Sequence, residues 1–152
     1  MAVEHLPDEL NALATGSSLE AAIDCDLETC VTLLADVCEA VRSYSRYGST
    51  PYHLRLGPES VTFREESDGP TAVVGDWGIS GLVADPPVTP YTAPEQLDGG
   101  DHAGRQTDVY RLGALGYDLI SGSAPFTNAD RSLSDTIRAG VGKVKFADVP
   151  EN

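Results

Sequence analysis

Apolar residues at Leu27, Cys30, Val31, Leu34, Val37, Cys38 and Val41 recur at the three-to-four-residue spacing of a helix with one apolar face. Asp26 stands where a cap is needed, and Gly48 stands where such a helix would stop. The pattern then changes. "YHLRLGPESVTFREE" reads as a turn leading into a short strand, Val61 to Arg64. The polar turn "ESDGP" separates it from a second strand, Thr71 to Gly75, and the two are expected to pair as a hairpin. Residues 78–107 are rich in Gly and Pro, show no periodicity, and read as irregular loop. Loops of that length in a compact domain are mostly functional or disordered. Helical spacing resumes in "TDVYRLGALGYDLISG". There Val109, Leu112, Leu115, Gly116, Leu119 and Ile120 cover most of the circumference, which predicts a helix over 107–121 buried on several sides. Thr107 is its expected cap and Gly122 its stop. A last helix is expected from "SLSD", where Ser132 and Asp135 form a capping-box-like pair, to about Gly140. The tail after it has no clear element.

Composition narrows the possible partners. The 152 residues carry 10 basic and 24 acidic side chains, a net charge of −14. Phosphate backbones and anionic lipid need clustered Lys and Arg, so neither nucleic acid nor membrane is an expected partner. Lys143 and Lys145 are the only lysines. An acid-rich, lysine-poor surface stays hydrated in concentrated salt, which fits a salt-loving host as well as an ordinary acidic protein of the cytoplasm. No apolar run approaches the roughly 20 residues of a membrane span, and "MAVEHLPDEL" lacks the basic start and apolar stretch of a signal peptide. Cys25, Cys30 and Cys38 fit neither C-x-x-C nor zinc spacing, and are expected to be reduced and mostly buried.

Three phrases carry candidate chemistry, in chain order: Asp76-Trp77-Gly78, Ala93-Pro94-Glu95 within "YTAPEQL", and "TDVYRLGALGYDLISGSAPF". Together they resemble the C-terminal lobe of a eukaryotic-like serine/threonine protein kinase, with D-F-G, A-P-E and the start of the family's central helix in order. The resemblance implies a mainly α (α+β) fold with a small β-hairpin and a buried central helix. It implies one partial domain over 1–152, with a catalytic loop at 53–63 and an activation segment at 76–95. "AVEHLP", residues 2–7, is similar to the hinge between kinase lobes, which would put Glu4 and Leu6 beside a bound nucleotide. By the same resemblance Asp76 would hold the magnesium ion that bridges the phosphates of ATP, as a hard oxygen ligand suits that ion. Trp77 takes the place of the family's Phe and would pack under the site, and Gly78 would let the chain turn. Glu95 would anchor its segment through an arginine beyond the end of this chain. Asp108 would bond back to the catalytic loop, or else cap its own helix.

The catalytic loop departs from the family pattern H-R-D-L-K-P-E-N-I-L. "HLRLGPESVTF", aligned on Pro58-Glu59, keeps His53 but has Leu54 for Arg, Arg55 for the catalytic Asp, Gly57 for Lys and Ser60 for the Asn that would bind a second magnesium. No Asp lies between Asp36 and Asp68, so no shift of alignment restores the base. A guanidinium accepts no proton at physiological pH, and losing a general base typically costs about 10²–10⁴ in rate. No catalytic residue is therefore intact. If residues 2–7 are the hinge, no glycine-rich loop and no V-A-I-K lysine precede it. The late helices that would cover the central one also lie outside the chain, so its apolar surface is expected to meet a partner. Ser80, Thr89 and Thr92 are the hydroxyls of the activation segment, with no basic cluster evident to hold a phosphate there. The expectation is a catalytically inactive binding or regulatory module with a protein partner and residual ATP and magnesium binding at most. The alternatives are a kinase half completed by a separate N-terminal lobe, or a non-functional gene remnant.

Overall fold

The computed structural model describes residues 17–18, 26–47, 51–67, 69–83, 85–99, 102–127 and 132–140. The hinge-like stretch with Glu4 and Leu6, together with Cys25, Gly48 and the C-terminal tail, lies outside the described residues. Strand β1, Ser17–Ser18, is followed by helix α1, Leu27–Tyr47. Strands β2, Val61–Glu66, and β3, Gly69–Val74, come next, then α2, Arg105–Ser121, and α3, Leu133–Gly140. The arrangement is mainly α with one small antiparallel sheet.

The Asp26 side chain accepts the Thr29 N–H at 2.8 Å and so satisfies one of the free donors that open α1. The buried face of α1 runs through Cys30, Leu33, Val37 and Val41, with Leu34 half-buried. Leu27 and Val31 are exposed, and so is Cys38, contrary to the expectation of a buried thiol. Spacing alone accommodates either stripe; packing against the hairpin and α2 selects the one containing Leu33.

Val61 pairs with Val74 and Phe63 with Ala72, so Val61, Ala72 and Val74 reach one core with Leu33 and Val37. Both strands extend further toward the turn than expected, to Glu66 and Gly69. The outer edge of β2 is paired by β1, Ser17 opposite Phe63.

Helix α2 begins two residues earlier than expected, at Arg105, with Gly104 at its N-cap. Thr107 is therefore not the cap; it sits in the first turn, and its hydroxyl accepts the Gly104 N–H at 3.0 Å. Leu115 and Leu119 are buried, whereas Val109 is 60% exposed, so a strip of this helix does face solvent. The buried surface also includes Thr107, Asp108, Arg111 and Asp118, polar residues that apolar spacing cannot count. Gly122 ends the helix in the left-handed conformation, φ 70°, and donates its N–H to the Asp118 carbonyl. Ser132 and Asp135 exchange hydrogen bonds at the start of α3, whose Ile137 is fully buried. The stretch expected to be irregular holds two 3₁₀ turns, Ile79–Leu82 and Pro94–Asp98.

Candidate functional site

The segment from Tyr52 to Ser60 lies between the hairpin and the start of α2 and is held from several sides. Asp108, 3% exposed, accepts the His53 N–H at 2.9 Å and the Leu54 N–H at 2.7 Å, one on each carboxylate oxygen. A carboxylate taking two amide donors is a strong, directional clamp. Leu54 has φ 62°, a left-handed conformation that a bulky residue keeps only when its surroundings enforce it. Its N–H goes to Asp108, and its carbonyl accepts the Gln96 side-chain amide at 2.8 Å.

His53 is fully buried. Its Nε2 donates to the Gly75 carbonyl at 2.9 Å, because a carbonyl can only accept. Nδ1 then accepts the Arg55 N–H at 3.3 Å. The ring also meets Trp77 edge-on at 4.7 Å. Gly75, next to Asp76, donates its own N–H to the Ser60 carbonyl at 2.8 Å. The loop and the end of β3 are thus tied together on both sides of Gly75.

At Asp76-Trp77-Gly78 the chain turns sharply, with Asp76 at φ 58° and Gly78 at φ 80°. Asp tolerates the left-handed region better than most residues. The Asp76 side chain is exposed. Trp77 stacks on Tyr44 of α1 with ring centres 3.8 Å apart, and its indole N–H donates to the Val74 carbonyl at 2.8 Å. The larger ring in place of Phe therefore belongs to the core while its polar edge is satisfied.

Ser60 is 3% exposed, and its hydroxyl donates to the Gly57 carbonyl at 2.8 Å and accepts the Gly57 N–H at 3.1 Å. It closes the turn at Pro58–Ser60. Gly57 itself is extended, with φ −168°. A Cβ there would lie 2.6 Å from the Glu59 carboxylate, so Glu59 occupies the space a larger residue at position 57 would need. The oxygens that the resemblance would offer to magnesium are one exposed carboxylate at Asp76 and a buried Ser60 hydroxyl already engaged by Gly57, so the second position fits an ion poorly. Among the described residues no three His, Cys, Asp or Glu side chains cluster as metal ligands.

Glu95 accepts the Thr107 hydroxyl at 2.7 Å, a bond that ties its segment to α2. Sequence reasoning missed the next layer, formed by Gln96 and Arg111. Gln96 Oε1 accepts the Ala93 N–H at 3.1 Å and Arg111 Nε at 2.9 Å, and Arg111 Nη1 donates to the Leu56 carbonyl at 3.0 Å. These bonds join loop, 3₁₀ turn and helix. Burial, partly offset by the Glu59 carboxylate, pulls the Arg111 guanidinium down to about 10, so it stays charged at neutral pH. Apolar spacing treats an arginine in a helix as solvent-facing, and no local signal marked this one as buried. Tyr91 donates to Asp118 at 2.6 Å in the core behind the segment.

Arg55, in contrast, is half-buried. Among the described residues its Nη1 is the buried side-chain nitrogen or oxygen atom without a hydrogen-bond partner. Of the hydroxyls at Ser80, Thr89 and Thr92, Thr92 is buried and accepts the Thr89 N–H at 2.8 Å, while Ser80 is half-buried beside the cavity that Arg55 lines.

No protein-family model matches the chain. Similarity to individual proteins is clear. The ribosomal protein S6 kinase alpha-2 of Homo sapiens is 33% identical over 106 residues, which is 62% of this chain and 14% of that protein. The serine/threonine-protein kinase Pkn1 of Myxococcus xanthus is 33% identical over 109 residues, 64% of this chain and 15% of that protein. The calcium/calmodulin-dependent protein kinase cmkB of Emericella nidulans is 30% identical over 106 residues, 64% of this chain and 26% of that protein. The chain thus contains a serine/threonine-kinase-like region but spans only about a seventh to a quarter of the length of these curated relatives. Its α+β arrangement is consistent with a kinase C-terminal-lobe-like fold.

Proposed function

We propose that this chain is a kinase-like lobe that does not transfer phosphate and serves as a binding or regulatory module for another protein. The observation that carries this reading is Arg55. It stands where the resemblance puts the general base, and a guanidinium cannot take a proton from an alcohol. Gly57 and Ser60 support it: one has no side chain to reach a phosphate, and the other spends its hydroxyl on the turn. What the sequence keeps is the scaffold. Asp108, Gln96 and Arg111 hold the loop, while on the resemblance Arg55, Gly57 and Ser60 replace groups that would touch reactants and Asp76 is kept.

On this reading ATP with magnesium is at most a weak ligand of Asp76. The protein acts in the cytoplasm, and its −14 charge with only two lysines suits a salt-rich, haloarchaeal-type interior. Among the described residues no helix is long and apolar enough to cross a membrane.

Phosphate transfer from labelled ATP, measured with the full chain and with whatever co-purifies from its native host, tests the proposal. No transfer is expected in either preparation. Transfer by the complex that disappears in Asp76→Ala would overturn it and establish a kinase half completed in trans. A chain that captures no partner and binds no nucleotide would favour a gene remnant.

A further inference from the structure

The last turns of α1 and the first turns of α2 leave a groove of about 640 Å³, with Tyr52 also on its wall. Buried Val41 and half-buried Leu112 line it, and exposed Val109 and Tyr52 add apolar surface that water still reaches. Arg42, Arg46 and Arg105, all exposed, stand on the same walls. They are three of ten basic residues in a chain with 24 acidic ones, so the groove is opposite in character to the average surface. Two acids lie close to these cations. Asp108 lines the groove, but it is buried and its two oxygens take the His53 and Leu54 N–H groups. Glu39 bonds Arg42 at 2.8 and 2.7 Å and attracts Arg46 only from longer range. Among the described residues neither Arg46 nor Arg105 forms an ion pair.

We propose that this groove receives an acidic segment of a partner protein, with aliphatic side chains against Val109 and Leu112 and carboxylates on Arg46 and Arg105. Covering Val109 and Tyr52 removes apolar surface from water and drives the association. The arginines select the sign of the partner, because a carboxylate matches the guanidinium fork and a basic segment is repelled. The net charge of −14 opposes any acidic partner at long range. At about 0.15 M salt the screening length is only about 8 Å, so contacts inside the groove outweigh distant acids. Neither Arg55 nor Asp76 lines this groove, so the inference goes beyond the inactive-lobe reading, and phosphate transfer from labelled ATP bears on that reading alone.

Fluorescence anisotropy with the full 152-residue chain tests this at about 0.15 M salt. The probe is a labelled helical peptide with leucines along one face and glutamates on the others. It is expected to bind saturably. Versions with glutamine for each glutamate, or alanine for each leucine, should each bind about tenfold or more weakly. Val109→Asp should weaken the parent peptide about tenfold or more, since a carboxylate replaces an apolar contact and repels the ligand. Arg46→Gln and Arg105→Gln should each weaken it roughly twofold to fivefold, the range of exposed ion pairs. All three side chains are exposed, so these variants keep the fold. Arg64→Gln, on the hairpin, should match the parent. Equal affinity for the glutamine version, or no effect of Val109→Asp, would overturn the proposal. Sedimentation velocity of the chain alone should show a monomer. A dimer that Val109→Asp dissolves would assign the groove to a second copy and overturn the acidic partner.

Discussion

Asp108 decides the shape of the loop at the level of single atoms, because each of its oxygens takes one backbone donor from His53 or Leu54. Asp108→Ala leaves one buried and one partly buried donor unsatisfied, at about 1–3 kcal/mol each, so a loss of about 2–6 kcal/mol is expected in thermal or urea unfolding. Asp108→Asn keeps one acceptor and should lose about half as much. Tyr91 is the second decisive residue. Burial and, after it, the bond to Asp118 hold its phenol well above the usual tyrosine range. In the unfolded chain the phenol ionises near pH ~10. Between that pH and its higher folded-state value the folded chain keeps a proton the unfolded one has lost, so stability falls as pH rises above about 10. Below that pH the contribution is fully present. Tyr91→Phe should flatten this alkaline decline and, by removing a donor from a charged acceptor, cost about 1.5–3 kcal/mol at neutral pH.

At the scale of elements, α1 and α2 approach closely where Gly116 faces Leu34. A Cβ on Gly116 would lie 2.8 Å from a Leu34 methyl, while one on Gly113, a turn away, would meet nothing within 4 Å. The two glycines are therefore expected to respond in opposite directions. Gly113→Ala gains helix propensity and should stabilise by up to about 1 kcal/mol. Gly116→Leu overpacks the crossing and should destabilise by about 1–3 kcal/mol. Paired denaturant melts of the two variants check both. The exposed strip of α2 that contains Val109 borders a groove of about 640 Å³ with Arg42, Arg46 and Arg105 on its walls, so the surface left open there is mixed rather than purely apolar.

Over the whole molecule the acidic excess sets the response to salt. Like charges repel more strongly in the compact state, and raising ionic strength from about 0.01 to 1 M shortens the screening length from about 30 to 3 Å. The exposed pairs Arg42–Glu39, Arg64–Glu66 and Arg138–Asp98 lose attraction over the same range, but such pairs contribute little. The midpoint temperature should therefore rise with sodium chloride, as read by circular dichroism. A midpoint that falls with salt would show that local pairs outweigh the net charge.

How far the molecule was legible follows from the range of each interaction. Capping at Asp26 and Ser132, the hairpin and the stop at Gly122 are short-range facts, and the order of residues alone determined them. The stripe of α1 that turns inward was not decided there, because Val31 and Leu33 both suit helical spacing and only the neighbouring strands choose between them. Nor was the start of α2, where bonds from Glu95 and Gly104 pull Thr107 into the first turn. The Gln96–Arg111 layer and the partnerless nitrogen of Arg55 also belonged to tertiary structure alone. Each joins residues far apart in the chain, and a polar group's burial depends on what folds over it, which local pattern does not encode.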